Sequence, residues 1–189
     1  MKKHLFLLLL PATVLILQGC KRVHCPGYPQ DDTGYLPVDF VGQTMRYIYD
    51  SDTIAFKVAP PMFSEEYDKP YNHDIQCEAY AQMDLKSSDE NLILSYSMNS
   101  WHSLSVCLQK DGNYMSCGMI EDIYDEWDNG SRRAEDLPQW TSPTGYTYTD
   151  VVKSTEMITS IGIDTLYLSK RYGLLHWYIH DGHTFTLLP

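Results

Sequence analysis

Apolar and polar residues alternate one by one over long stretches of this chain, and a period of two marks a strand with one buried face. The longest run is Ile75, Cys77, Ala79, Ala81, Met83 and Leu85, with mostly polar residues between them. Leu92, Leu94, Tyr96 and Met98 repeat the pattern after the turn Lys86-Ser87-Ser88-Asp89-Glu90-Asn91, and Leu104, Val106 and Leu108 repeat it again. Residues 114–119 are predicted to pair back on that last strand through Lys110-Asp111-Gly112-Asn113. Nearer the start, Met45, Tyr47 and Tyr49, then Ile54, Phe56 and Val58, flank Asp50-Ser51-Asp52 and read as a hairpin. Tyr146, Tyr148 and Val152 mark a further strand. Residues 163–169, 174–180 and 183–188 close the chain as three strands. Their turns are Lys170-Arg171-Tyr172-Gly173 and Asp181-Gly182, the latter a favoured two-residue hairpin turn.

Two segments lack the alternation. Residues 59–73 hold Pro60, Pro61 and Pro70 and are predicted to form a long loop. From Ile120 to Trp140 the period weakens, and the segment 121–127 reads either as a short helix or as an acidic loop. No internal repeat occurs, and no helical pattern is long enough to cross over between parallel strands. Eight to ten short strands separated by turn signals predict an all-β fold, an antiparallel β-sandwich or an open barrel.

The chain starts differently. Lys2-Lys3 precede an apolar run from Leu5 to Leu17, thirteen residues broken by Pro11. A permanent helical span needs about 20 apolar residues, so this run has the length and flanks of a secretory leader. It ends at Leu17-Gln18-Gly19-Cys20, which resembles a bacterial lipoprotein signal. Leu17 and Gly19 match that pattern, whereas Gln18 stands where a small residue is usual. The resemblance implies cleavage before Cys20 and a lipid on its sulfur. The expected organisation is a signal peptide over 1–19, a Pro- and Gly-rich tether over 20–40, and a single β-rich domain over 41–189. An ordinary cleaved signal with a leftover cysteine is the alternative.

Together with this leader, Tyr35-Leu36-Pro37 to Gly42 and the segment Leu166 to Leu174 with its following Asp181-Gly182 turn resemble small lipoproteins of Bacteroidetes-type bacteria, mostly of unknown function. These patches cover about a third of the chain and carry no catalytic motif. The resemblance implies an all-β, lipid-anchored protein of the cell envelope, on the outer membrane and facing the periplasm or the outside. Lys21-Arg22-Val23-His24 follow Cys20 in place of the acidic residues that accompany surface export in that group, which points to the periplasmic face.

Charge narrows the partners. The chain holds 14 Lys and Arg against 25 Asp and Glu, a formal net charge of −11. The leader removes two Lys and no acid, so the remainder is more negative still. Such a chain repels nucleic acid and anionic lipid head groups, leaving the lipid anchor as its membrane contact and a protein or a glycan as its partner. Fifteen Tyr and four Trp favour strands and supply flat, partly polar faces. With Cys20 lipidated, Cys25, Cys77, Cys107 and Cys117 remain, an even number suited to two disulfides in an oxidising compartment. Cys107 and Cys117 flank a turn. They face each other if the loop centres on Gly112, whereas a two-residue Asp-Gly loop sets Cys107 against Ser116. Cys25 with Cys77 would pin the N-terminal segment, and four free thiols are the alternative.

Candidate chemistry is sparse. His180 and His183 would be opposed across an Asp181-Gly182 turn, as two ligands of a divalent metal; His176 lies about 13 Å up the strand, out of reach. Two ligands are too few for a structural zinc site, and a polar outer face accounts for all three histidines. His73-Asp74 with Ser103 or Ser105 lacks a nucleophile elbow. Glu121, Asp122, Asp125 and Glu126 contain carboxylates for glycoside hydrolysis, but so dense a run is more simply a solvated surface. Tyr124, Trp127, Trp140, Tyr146 and Tyr148 form an aromatic set interleaved with acids that could stack on sugar rings or a partner protein. No catalytic residue, cofactor or metal is assigned. The expected function is non-enzymatic binding of a partner protein or glycan, with an envelope hydrolase or a purely structural lipoprotein as alternatives.

Overall fold

In the computed structural model, residue 28 and residues 34–67, 77–87, 91–99, 103–120, 134–155, 159–180 and 182–189 are described. The leader, Cys20, Cys25, the acidic segment 121–128 and Asp181 lie outside them. The described residues are almost entirely antiparallel β-structure. The strands are β1 (Thr44–Tyr49), β2 (Asp52–Val58), β3 (Met62–Tyr67), β4 (Cys77–Ser87), β5 (Leu92–Asn99), β6 (Leu104–Lys110) and β7 (Asn113–Ile120). They continue with β8 (Ala134–Thr141), β9 (Thr147–Ser154), β10 (Thr159–Ile161), β11 (Ile163–Ser169), β12 (Gly173–Ile179) and β13 (Thr184–Leu188).

All thirteen belong to one sheet, in the order β10-β7-β6-β5-β4-β2-β1-β13-β12-β11-β9-β8, with β3 paired to β4. The short β10 pairs with β7, and the chain passes from it through Gly162 straight into β11. Gly162 has φ +72°, and its carbonyl accepts the His180 N–H at 2.7 Å. One bent strand therefore joins the two arms of the sheet and makes it a nearly closed barrel, the arrangement that removes exposed strand edges.

The predicted alternation is what fills this barrel. β5 is alternately buried and half-buried along its whole length, and Ile54, Phe56 and Val58 of β2 point inward. Tyr47 stacks on Phe185 with ring centroids 4.6 Å apart and meets the edge of Phe56 at 5.8 Å. The Tyr47 hydroxyl donates to the Leu174 carbonyl at 3.1 Å, while the Leu174 N–H donates to the Tyr96 hydroxyl at 3.1 Å. Two buried phenols thus find partners on one residue of β12, as buried polar groups must. Burial pushes both hydroxyls up, that of Tyr96 to about 12.

Besides β8 and β10, which the sequence reading does not assign, three segments depart from it. Met62–Tyr67, inside the expected loop 59–73, forms β3. Its residues do not alternate, and it follows a Pro-Pro pair as an edge strand may. Second, Tyr35 and Leu36, assigned by sequence to the tether, are buried, and a 3-10 turn follows at Val38–Phe40. Gly173, at φ +67°, makes room for them: a Cβ there would sit 3.0 Å from both the Pro37 ring and the Tyr35 carbonyl. Third, the β6–β7 loop is the two-residue Asp111-Gly112 turn, both with positive φ. Lys110 pairs with Asn113 and Gln109 with Tyr114, but Leu108 pairs with Ser116. Met115 is bulged out, and that one residue restores Cys107 opposite Cys117. The two cysteines are joined as a disulfide with Cα atoms 4.0 Å apart. Cys77 starts β4, and its expected partner Cys25 lies outside the described residues.

Candidate ligand-binding cleft

The β8–β9 hairpin continues the sheet beyond the point where the barrel closes. Only residues 151–154 of β9 pair with β11. Tyr148, Asp150 and Val152 would all face one way in a regular strand. Asp150 instead takes φ +54°, and both Val151 and Val152 are buried beyond it. The hairpin tip is fixed by Ser142-Pro143-Thr144-Gly145. Proline presets the first corner, Gly145 takes φ +86°, and the Gly145 N–H donates to the Ser142 carbonyl at 2.9 Å. The Ser142 hydroxyl then accepts the Tyr146 N–H at 3.2 Å.

The far half of the hairpin carries aromatic rings onto the outside of the barrel. Trp140 stacks on Tyr167 at 4.4 Å and lies 5.7 Å from the His176 ring and 6.2 Å from Tyr148. Tyr148 meets Tyr172 edge-on at 5.5 Å. Under this cover His176 is buried, not part of a solvated face as the sequence suggests. The hairpin covers the outer face of β12, and a bulge lies beside His176: Tyr167 pairs with His176 but Leu168 pairs with Leu174, so Leu175 is the extra residue, and β12 is buried from Gly173 to Trp177. His176 Nδ1 lies 2.7 Å from the Thr186 hydroxyl, and Nε2 has no partner. Burial lowers its pKa to about 4, keeping the ring neutral.

His180 and His183 are not opposed. The Ile179 N–H donates to the His183 carbonyl and the Gly182 N–H to the Ile179 carbonyl, each at 2.9 Å, so His183 lies across from Ile179. His180 Nδ1 instead lies 3.1 Å from Asp164, and His183 Nδ1 lies 2.6 Å from Asp50. No group of three His, Cys, Asp or Glu side chains among the described residues is placed to hold a metal. Ser103 is tied through its N–H to Asn99, and the Ser105 hydroxyl lies 3.4 Å from the Cys107 sulfur. His73 and Asp74, like the carboxylates of 121–126, lie outside the described residues.

Where the bent hairpin meets the β11–β12 turn, an open cleft of about 480 Å³ runs between residues 146–150 and 169–172. Tyr146, Tyr148 and Tyr172 supply its rings; Thr147, Thr149 and Ser169 its hydroxyls; Asp150, Lys170 and Arg171 its charged side chains; and Pro189 also borders it. Tyr146 is 49% exposed, and its ring is available to a ligand. Tyr148 is buried, which with Tyr172 and Tyr146 nearby pushes its hydroxyl up to about 12. A second cleft of about 460 Å³ shares Asp150 and Lys170 and is bordered by Tyr35, Asp136 and Pro138. Of the aromatic set singled out by sequence, Tyr146 and Tyr148 line the first cleft and Trp140 braces the hairpin that forms it. Tyr124 and Trp127 lie outside the described residues. Sequence reasoning missed Asp150, Lys170, Arg171 and Tyr172. An Asp at a position where alternation demands an inward side chain was the available signal for a bend at 150. No family model, curated protein or solved structure matches the chain.

Proposed function

We propose that this protein is a lipid-anchored binding module of the bacterial cell envelope, non-enzymatic, that takes a saccharide in the cleft between residues 146–150 and 169–172. The exposed Tyr146 ring beside hydroxyl and charged groups carries this reading. A sugar presents a face of C–H groups and a rim of hydroxyls. An aromatic face matches the first, and a few fixed polar groups match the second. The cleft is open, as the binding of part of a longer chain requires. The leader ending at Cys20 supports anchoring, and a chain this acidic is poorly suited to hold a membrane by charge alone.

A glycan array tests the binding reading. Wild-type protein is expected to retain a subset of saccharides, and Tyr146→Ala to lose them by about an order of magnitude, the size of a stacking contact. Equal retention by both proteins excludes this cleft. The anchor is read from the mass of protein extracted from membranes: a diacylglyceryl adduct on Cys20 is expected, and an unmodified cysteine contradicts it.

A further inference from the structure

We infer that the ligand is a linear oligosaccharide that runs across both clefts of this face, with one part on Tyr146 and the next passing over Asp150 toward Pro138. The inference rests on the saccharide reading above and specifies the length of its ligand. The first cleft follows β9 from Tyr146 to Asp150, and the second takes up where it ends, from Asp150 to Val152. Lys170 of the β11–β12 turn lines both. The hairpin itself makes this succession. Leu137 pairs with Val151 and Gln139 with Thr149, so Pro138 falls level with Asp150. Proline has no N–H to give the ladder, and Asp150 takes φ +54°. The ladder is thus interrupted at one level, and the two clefts meet there.

This path suits a chain of sugars better than a single one. The clefts measure about 480 and 460 Å³, and each falls in the range that takes a drug-sized molecule, so one sugar ring fills neither. Laid along residues 146–152, the path is up to about 20 Å long at strand rise. Its parts differ in chemistry. Tyr146 offers an exposed ring at one end, and Leu137 and Pro138 offer aliphatic surface at the other. Asp150, exposed between them, accepts from the hydroxyls of neighbouring sugars. Side chains of both signs line each cleft, so the ligand needs no charge of its own. A single sugar touches one part of the path. A chain that reaches the second part binds there intramolecularly and gains affinity by that link.

Isothermal titration with cello-, chito- and malto-oligosaccharides, from disaccharide to hexasaccharide, tests the inference. In a series that binds, the hexasaccharide is expected to bind roughly a hundredfold more tightly than the disaccharide, the lower end of what a second linked contact adds. Pro138→Trp fills the second cleft from an exposed position that has no N–H to lose. It should remove the gain with length and keep disaccharide binding. Tyr146→Ala should weaken every length by a similar factor and preserve the ratio. Thermal melts check that each variant is folded. Amide shifts of the wild type give a second reading that needs no variant: the hexasaccharide should move residues 136–137 and 151–152, and the disaccharide should not. Binding that does not grow with length overturns the inference and leaves the saccharide site standing. So does a gain that survives in folded Pro138→Trp, or a hexasaccharide that leaves 136–137 and 151–152 unmoved. If no series binds, the inference falls, and the array decides separately whether the saccharide reading falls with it.

Discussion

His176 is buried with one ring nitrogen held by Thr186 and the other without a partner. A protonated ring there would be a charge under Trp140 and Tyr167 with no counter-ion in contact. Its pKa of about 4 lies below the ordinary value of 6.5, so between these two values the unfolded chain binds more protons than the folded one. Stability therefore falls as pH drops from about 6.5 to about 4 and is unaffected by this residue above that window, the loss reaching about 3 kcal/mol at the extreme. Chemical denaturation across this range should show a smaller slope for His176→Gln, which keeps a polar side chain near Thr186 but does not titrate. An unchanged slope would mean that the ring is solvated. The burial was not legible because a strict alternation assigns His176 to the outer face, and it does lie there. What covers that face is a hairpin whose bend at Asp150 shows in the sequence only as an acid out of phase.

At the scale of elements, the β6–β7 hairpin shows how one residue resets a register. Asp111-Gly112 is the tight turn its sequence favours, which alone would oppose Cys107 to Ser116; the bulge at Met115 shifts the pairing by one. The resulting disulfide closes a short loop near the seam where β10 joins β7. Reduction, or the Cys107→Ser/Cys117→Ser pair, should lower unfolding stability by about 2–3 kcal/mol. Denaturant titration with and without reductant measures it, and coincident curves would show that the link carries no stability. The strands themselves were legible wherever one face is core, as in β2, β4 and β5. β3, β8 and β10 were not, because each is short, proline-containing or at an edge, and such strands are held by a neighbour's backbone instead of by an alternating face of their own.

At the scale of the whole molecule, the described residues form a filled barrel with an open cleft on its outside. Trp177, Tyr47, Tyr96, Phe56 and Phe185 occupy the interior, so the barrel serves as the frame, and the bent β8–β9 hairpin with the β11–β12 turn forms the cleft proposed as the recognition surface. This end also bears the N-terminal segment, for Phe40 lies 5.3 Å from Tyr172. The all-β class was readable from alternation because alternation is set by burial on one face. The cleft was not, because its walls come from residues 146–150 and 169–172, and only tertiary structure brings them together. Chemical-shift mapping of labelled protein with a saccharide retained on the array tests this placement most directly. The account predicts that the perturbed amides cluster at residues 146–150 and 169–172, with the barrel interior unmoved. Perturbations centred elsewhere, on β3 or the β6–β7 hairpin, would contradict it.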